Sequence, residues 1–579
     1  MPTSPPQAAP RRGRGARILD ALEAGLRALI EAASRGSIAR TLIVGLVALA
    51  VVLPGLAALP VTDRDEARFA QATKQMLETG DLVDIRFQDD PRWKKPVGIY
   101  WLQAAVASAA GGKDAPIWAY RLPSAIGIVL AAIGLAWAAR PLVGPRGAAL
   151  AGLMLPATVL AAAEANIAKT DAMLLATAVA ALAGLARLIG PERPALAVAA
   201  LFWTALAAAV LLKGPIVPLI AVLALAALWG LTRRLPEIRR LRPMPGLVWT
   251  ALLCLPWFVA IWTVSEGRFF AESVGRDLLG KVAEGQEKHW GPPGLYLVLI
   301  WGTFWPWAAF LPVAASWLWA RRREPWLLLL AAWVVPFWVI LEAVPTKLPH
   351  YVLPLYPALA VALAAWLLAD DAGPPSRRIR LASALLVAIP GVGLALALLV
   401  LPVALEGSLP PLAVPLALGG GAAALLAALA ALRGRRLAQA GAGLVALVLV
   451  AGGILQVGLP SLATVFPSPR IAALAEPWRA CGDGPLVTAG YREPSMVFHA
   501  GTETRLATPP EAARILAREP GALVLLERRW LVLMDPYWPD GRPELVTRAT
   551  LRYFNYNRGD FEIADLVTRP DPRWELCAG

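Results

Sequence analysis

Histidine and cysteine are scarce in this chain, 3 of each among 579 residues. Cys254, Cys481 and Cys577 stand far apart without metal-ligand spacing, and the histidines form no metal-rich tract. Charge is sparse too: 17% of residues are charged and 58% are hydrophobic. The formal net charge of +14, from 55 Lys and Arg against 41 Asp and Glu, comes with no stacking-and-phosphate motif, so nucleic acid is set aside as a partner. The start, "MPTSPPQAAPRRGRGAR", and the helical "ILDALEAGLRALIEAAS" after it lack an uninterrupted apolar core and a cleavage site, which excludes a simple secretory signal. Residues 1–40 read instead as a basic cytoplasmic tail with an interfacial helix. No repeated halves are visible, which counts against a transporter built from inverted repeats.

What the chain has in abundance is apolar runs of roughly 17 to 25 residues, long enough to span hydrocarbon. They lie near 41–60, 121–139, 146–163, 172–190, 195–212, 215–231, 246–264, 295–319, 326–343, 351–369, 381–402, 411–432 and 440–460. A shorter run, "PVGIYWLQAAVASAAGG", covers Pro96 to Gly112. If it is not a full span and the N-terminus is inside, the clusters "RPLVGPR", "TRRLPEIRRLR", "ARRRE", "SRRIR" and "LRGRR" all fall on the cytoplasmic side, as the positive-inside rule requires. The expectation is an α-helical polytopic membrane protein with about 13 transmembrane helices in residues 41–465, the short run lying in the interface. Residues 61–120 then form the first outer loop, and the odd span count puts the C-terminal region outside.

Composition changes near Pro467. "GPLVTAG" and "GALVLLERRW" read as strands, "PPEAARILARE" as a helix between them, and "LRYFNYNRGDFEIADLV" as a hairpin turning at "NRGD". Residues 466–579 are expected to form a small α/β domain on the external face. Cys481 and Cys577 bracket it and would form one disulfide if it faces an oxidising compartment. Cys254, inside an apolar run, reads as a core residue.

With this topology the outer helix ends collect ionisable groups of both signs. The first loop holds Asp63, Asp65, Glu66, Arg68, Lys94 and Lys95, and the next holds Glu164, Lys169 and Asp171. Lys213 follows in "LLKGP", His289 sits in the loop 265–293, and "VPTKLPHYVLPLYP" supplies Lys347, His350 and Tyr351. Taken singly, each has an ordinary explanation. "TDRDEAR" is a helix start with its cap and salt bridge, a lone Lys snorkels, and a lone His is a loop residue. Convergence on one face is what favours a polar ligand, because charge at the edge of hydrocarbon is expensive. Arg and Lys would hold an anionic phosphate, carboxylates would activate a hydroxyl or stabilise positive charge at a sugar carbon, and apolar helices would take a lipid tail.

The same residues carry a resemblance. "DRDEARFAQATKQMLETGDLV", "WKKPVGIYWLQ", "YRLPSAI", "AKTDAML", "LLKGP", "EKHWGPPGLYLVLIWGTFWPW" and "TKLPHYVLPLYPALA" follow in order along most of the chain. "GYREPSMVFHAG" and "FNYNRG" follow in the external region. This series resembles the bacterial lipid-carrier-dependent glycosyltransferases that include the lipid A aminoarabinose transferases and, more distantly, the protein O-mannosyltransferases. Single elements such as Asp-Glu are weak, whereas the first-loop motif with the Lys-Leu-Pro-x-Tyr-x-Leu-Pro loop is specific.

The resemblance implies a membrane-embedded glycosyltransferase fold and a donor sugar on a polyprenyl phosphate, commonly undecaprenyl phosphate. It implies Asp65 as principal catalytic carboxylate, Glu66 beside it and Asp171 as the second acidic residue, with Arg68, Lys95 and Lys347 on the carrier phosphate. Lys169, Lys213, His289 and Tyr351 are further substrate-contact candidates. Lys94 stands where family members often carry Glu, a residue associated in aminoarabinose transferases with a zinc site that also uses a His of the long outer loop. That departure leads us to expect neither metal nor other cofactor. The resulting expectation is an inner-membrane enzyme working on the periplasmic side, with lipid A, lipopolysaccharide or another polysaccharide, or protein as acceptor. A lipid-linked sugar transporter is the rival from another class.

Overall fold

In the computed structural model, residues 14–62, 64–189, 195–233, 237–280, 290–482, 484–538, 541–556, 558–575 and 577 are described. Asp63 and the expected substrate contact His289 therefore lie outside the described residues.

The apolar runs become helices, as their composition dictates in a medium where backbone polar groups must be satisfied within the segment. Among the described residues nine helices are long and apolar enough to cross a membrane, and eleven spans result if each of two bent pairs counts as one. The chain is thus a multi-pass membrane protein, but the expected thirteen is reached only by adding two shorter apolar helices, Ser37–Val52 and Ile216–Thr232. The bent pairs correct the reading of two continuous runs. Arg140–Met154 and Val159–Ala165 meet at 61°, and Leu295–Thr303 meets Trp307–Ala320 at 112°. Each break contains a proline, Pro156 or Pro306, which cannot donate to the helix ladder. After the first break Thr158 restarts the helix, its side chain accepting from the Ala161 N–H at 3.1 Å. The short run Pro96 to Gly112 forms only a 12-residue helix, Gly98–Ala109, about 18 Å long at 1.5 Å per residue and too short to span.

One continuous apolar core joins most of the membrane helices. The N-terminal helix, Arg14–Ser34, buries Leu19, Leu26, Ile30 and Ala33 and packs on Arg436–Gly453. The segment between the first two apolar runs has its own core: Phe69, Met76, Trp93 and Tyr100 pack with Leu212, Trp257 and Phe269 of neighbouring helices. This cluster fixes the helix Asp65–Thr79 and the tiny hairpin of β1 (Arg86–Phe87) and β2 (Asp90–Pro91) over the bundle.

The C-terminal region contains a five-stranded sheet built from β3 (Val487–Ala489), β4 (Arg505–Ala507), β5 (Val524–Glu527), β6 (Val546–Asn555) and β7 (Asp560–Thr568). The spatial order is β4-β3-β5-β7-β6, with β3 parallel to β4 and β5, and β7 antiparallel to β5 and β6. The hairpin turns where read from sequence, with Gly559 at φ 78° in the left-handed region that L side chains avoid. Two readings change. The segment "ERRW" leaves the strand at Glu527 and continues as the helix Arg528–Met534, and β6 starts at Val546, five residues before "LRYF". Cys481 and Cys577 form a disulfide with Cα atoms 6.2 Å apart, and Cys254 is buried and free.

Candidate active site

The first loop delivers two adjacent carboxylates to different places. Consecutive helical residues point about 100° apart. At the start of Asp65–Thr79, Asp65 is exposed and faces a cavity, whereas Glu66 turns into the protein and is 1% exposed. Arg64, just before this helix, sits at φ 68°, a conformation costly for a side-chain-bearing residue and concentrated at functional turns. Among the described residues the Asp65 carboxylate takes no hydrogen bond.

Glu66 has no such freedom. Arg121, fully buried inside an apolar helix, donates through Nε to Oε1 at 2.7 Å and through Nη2 to Oε2 at 2.9 Å. The Thr62 N–H and hydroxyl each donate at 2.8 Å, and the Ala168 N–H at 2.9 Å. Burial alone would raise the Glu66 carboxyl, but the Arg121 charge and these donors hold it below the ordinary range. The rest of Arg121 is spent on the Leu56, Leu59 and Pro60 carbonyls. This hub ties the first loop, the helix Ile117–Ala138 and the loop at Ala168 together, and Glu66 is absent from the cavity wall.

Asp65 shares a cavity of about 240 Å³ with groups drawn from six stretches of chain. Arg68 comes from its own helix, while Arg92, Lys94 and Lys95 follow the β1–β2 hairpin. Lys169 and Asp171 come from the loop and helix start after Ala168, Lys213 from the next helix end, Asp277 from the segment that follows the helix Pro243–Ser265, and His350 and Tyr351 from the Lys-Leu-Pro loop. Lys95 is ion-paired with Asp277. Deeper, the charges are knitted: Lys213 Nζ reaches Asp171 Oδ1 at 2.5 Å, and Lys169 Nζ lies 2.9 Å from Glu164 Oε1 and 3.1 Å from His350 Nδ1. His350 Nε2 lies 3.8 Å from Asp171 Oδ2, and the Lys213 ammonium sits 5.3 Å from the Tyr351 ring centroid. Asp171 is held there by a close helix crossing: a Cβ on Gly127 would come within 2.7 Å of the backbone of Ala172 and Met173. On one side the wall is apolar, with Leu174, Ile216, Leu219, Phe337, Ile340 and Leu341.

Of the residues named from sequence, the cavity brings together Asp65, Arg68, Lys94, Lys95, Lys169, Asp171, Lys213, His350 and Tyr351. Glu66 and Lys347 do not line it. The Lys347 ammonium turns back to donate to the Leu341, Glu342 and Val344 carbonyls at 2.7, 2.8 and 2.6 Å, capping the helix Pro325–Ala343. Sequence reasoning assigned no role to Arg92, Asp277, His350 or the hub Arg121. Arg121 had a readable signal, since an arginine inside an apolar run demands a buried partner. Lys94 brings an ammonium to the cavity wall, and among the described residues no group of three or more His, Cys, Asp or Glu side chains is placed to hold a metal ion.

A family model described as dolichyl-phosphate-mannose-protein mannosyltransferase matches residues 94–262. An undecaprenyl phosphate-alpha-4-amino-4-deoxy-L-arabinose arabinosyl transferase of Pectobacterium atrosepticum is 29% identical over 364 residues, 62% of this chain and 64% of the relative. One from Pectobacterium carotovorum is 36% identical over 118 residues, 20% of this chain and 21% of the relative. The chain thus matches less than two thirds of the length of these curated relatives. Among solved structures, ArnT from Cupriavidus metallidurans bound to undecaprenyl phosphate aligns with a TM-score of 0.68 at 19% identity, covering 91% of this chain and 97% of that one. Its apo form aligns at 0.68 and 21% identity, covering 94% and 98%. The fold is that of this membrane-embedded glycosyltransferase.

Proposed function

We propose that this chain, similar in sequence and fold to the ArnT-like glycosyltransferases of the protein-mannosyltransferase superfamily, moves a sugar from a polyprenyl phosphate carrier to an acceptor outside the cytoplasmic membrane, such as lipid A or lipopolysaccharide. The observation that carries this reading is Asp65, a carboxylate with no hydrogen bond among the described residues, facing a cavity with basic side chains around it and an apolar wall beneath.

In this scheme the acceptor oxygen attacks the anomeric carbon while the bond to the carrier phosphate oxygen breaks, and the carrier phosphate leaves with the electron pair. Arg68, Arg92 and Lys95 stabilise the charge gathering on that phosphate. Lys95 is positioned by Asp277. Asp65 takes the proton of a hydroxyl acceptor, or orients an acceptor phosphate that is already anionic. Asp171, clamped by Lys213, and the Lys169–His350 contact shape the sugar end, with Tyr351 beside them. The apolar wall takes the first isoprene units. Glu66 acts by holding the loop through Arg121, and Lys347 by capping its helix, so neither touches substrate in this proposal. No metal or cofactor enters the scheme.

The Cys481–Cys577 disulfide supports placing the C-terminal domain in an oxidising compartment, the periplasm of a bacterial inner-membrane protein. Protein acceptors form a second reading, favoured by the family model's description.

The test is purified protein in lipid with undecaprenyl-phosphate-linked sugars and separate lipid A, polysaccharide and protein acceptors, followed by mass spectrometry. Asp65→Asn should retain the parent's melting temperature and lose transfer by about two to four orders of magnitude, the range for a missing general base. Equal activity of the two proteins removes Asp65 from the mechanism. Carrier movement across the bilayer without any transfer replaces the enzyme reading with transport.

A further inference from the structure

The membrane span Pro349–Leu368 joins the cavity described above to the opposite side of the protein. Near its far end lie two adjoining cavities, about 510 and 280 Å³, that share Gly434 and Arg436. They differ in charge balance. In the larger one two of the basic groups are already neutralised: Arg435 pairs with Asp20 and Glu23 at 2.8 Å each, and Arg27 pairs with Glu23 at 2.9 Å.

The smaller cavity is not balanced in this way. Arg380 lines it, and no carboxylate lies within ion-pair reach of this side chain among the described residues. Its Nε is shielded from water and makes no hydrogen bond. Its Nη1 lies 3.5 Å from where a Cβ on Gly434 would stand, so the guanidinium is laid over the turn joining Ala413–Leu432 to Arg436–Gly453. Arg436 faces the same space and is fixed by donation to the Trp366 and Ala369 carbonyls, with no carboxylate ion-paired to it among the described residues. Asp371, on the loop that borders the cavity, is held instead by Arg321 and Trp317. Gln439 and Ser383, hydrogen-bonded at 2.9 Å, supply further polar atoms, and Trp366 and Val313 an apolar side. A shielded guanidinium N–H without an acceptor is costly, and a second guanidinium beside it calls for an anion.

We propose that this cavity binds the phosphate of an anionic glycerophospholipid in the leaflet opposite the catalytic cavity. A lipid is favoured over a free ion because the helices that frame the site, Arg377–Glu406 and Ala413–Leu432, carry outward leucines near it, Leu381, Leu385 and Leu432, each 44–50% exposed, along which acyl chains can lie. Arg377 and Arg378, exposed at the start of the same helix, add attraction for an anionic surface. The site is independent of the donor cavity and of the reaction proposed for it.

The experiment uses delipidated full-length protein in detergent, with dioleoyl-phosphatidylglycerol, dioleoyl-phosphatidylcholine or inorganic phosphate added. Retained lipid is counted by native mass spectrometry and melting temperature is recorded. Phosphatidylglycerol is expected to be retained and to raise the melting temperature, with phosphatidylcholine and phosphate having little effect. Arg380→Gln should lower phosphatidylglycerol occupancy roughly fivefold, the loss of one basic contact at a lipid surface. Its melting temperature without lipid should match the parent's, since Arg380 makes no ion pair to lose, and Arg380→Lys should recover part of the binding. Parent-like occupancy in Arg380→Gln overturns the site. Equal retention of phosphatidylcholine overturns the anionic preference, and a stabilisation reproduced by phosphate alone overturns the lipid as its source.

Discussion

Asp65 and Glu66 are neighbours with the same chemistry, and only the helix phase separates their fates. The resemblance assigned both to catalysis. The structure turns Asp65 to the cavity and buries Glu66 against Arg121. Removing one partner of a buried ion pair leaves the other charge uncompensated, at a cost of about 3–5 kcal/mol. Glu66→Ala should therefore lower the melting temperature sharply, and Arg121→Met should do the same, whereas Asp65→Asn should not move it. Thermal melts of the three proteins, run beside transfer assays, separate the two roles. Lys347 belongs with Glu66. Lys347→Ala strands three carbonyls and should cost roughly 1–3 kcal/mol in stability. The donor KM should stay within about twofold of the parent's, since Lys347 is not among the residues lining the cavity; a tenfold rise would restore Lys347 to the carrier site. Residue types and their order were legible in the sequence. Direction was not, because whether a lysine at a helix end reaches a ligand or folds back on its own carbonyls depends on a few torsion angles.

At the scale of elements, hydrophobic runs located the helices but not their breaks. A run stays apolar on both sides of a bend, so periodicity passes through Pro156 and Pro306 unchanged. What positions Asp171 is likewise an absence, the missing side chain of Gly127 at the helix crossing. Gly127→Ala would ordinarily gain helix propensity, but here it must push backbone from 2.7 Å, an overpacking cost of roughly 1–3 kcal/mol. We expect a lower melting temperature and weakened transfer, and a variant more stable than the parent would show that the crossing has slack. A second joint links the first loop to the C-terminal domain. Gln71 donates to the Thr502 hydroxyl at 2.7 Å, and Gln88 donates to the Thr502 and Thr504 carbonyls at 2.8 and 2.5 Å. Beside them His499, at the end of Pro494–Ala500, is pushed down to about 4 by burial and by the nearby Lys74 ammonium. The unfolded chain takes up this proton near the ordinary value of 6.5, so between the two values it binds more protons than the folded domain. Stability should fall as pH drops from about 6.5 to 4 and level off outside that window. His499→Phe should flatten the profile, read by hydrogen exchange of residues 494–504 across that pH range.

Across the whole molecule, the catalytic proposal and the lipid proposal sit at opposite ends of one span, and the sidedness of both rests on where the C-terminal domain resides. The distribution of basic residues among the loops argues for an outside location, and the disulfide is an independent chemical argument for the same side. Closing a loop across 96 residues of sequence separation is worth roughly 4–5 kcal/mol in the chain-entropy account, so Cys577→Ser should loosen the domain noticeably. It would do so without touching the cavity, because neither cysteine lines it. The decisive measurement is thiol counting by intact mass on protein extracted with free thiols blocked. With the domain in an oxidising compartment, denaturation without reductant should expose one alkylatable thiol, Cys254, and reduction should expose three. Three thiols before reduction would put the domain in a reducing compartment. The donor cavity, tied to that domain through Gln71, Gln88 and Thr502, would then have to face the cytoplasm, and a carrier-linked sugar presented from outside could no longer be its substrate.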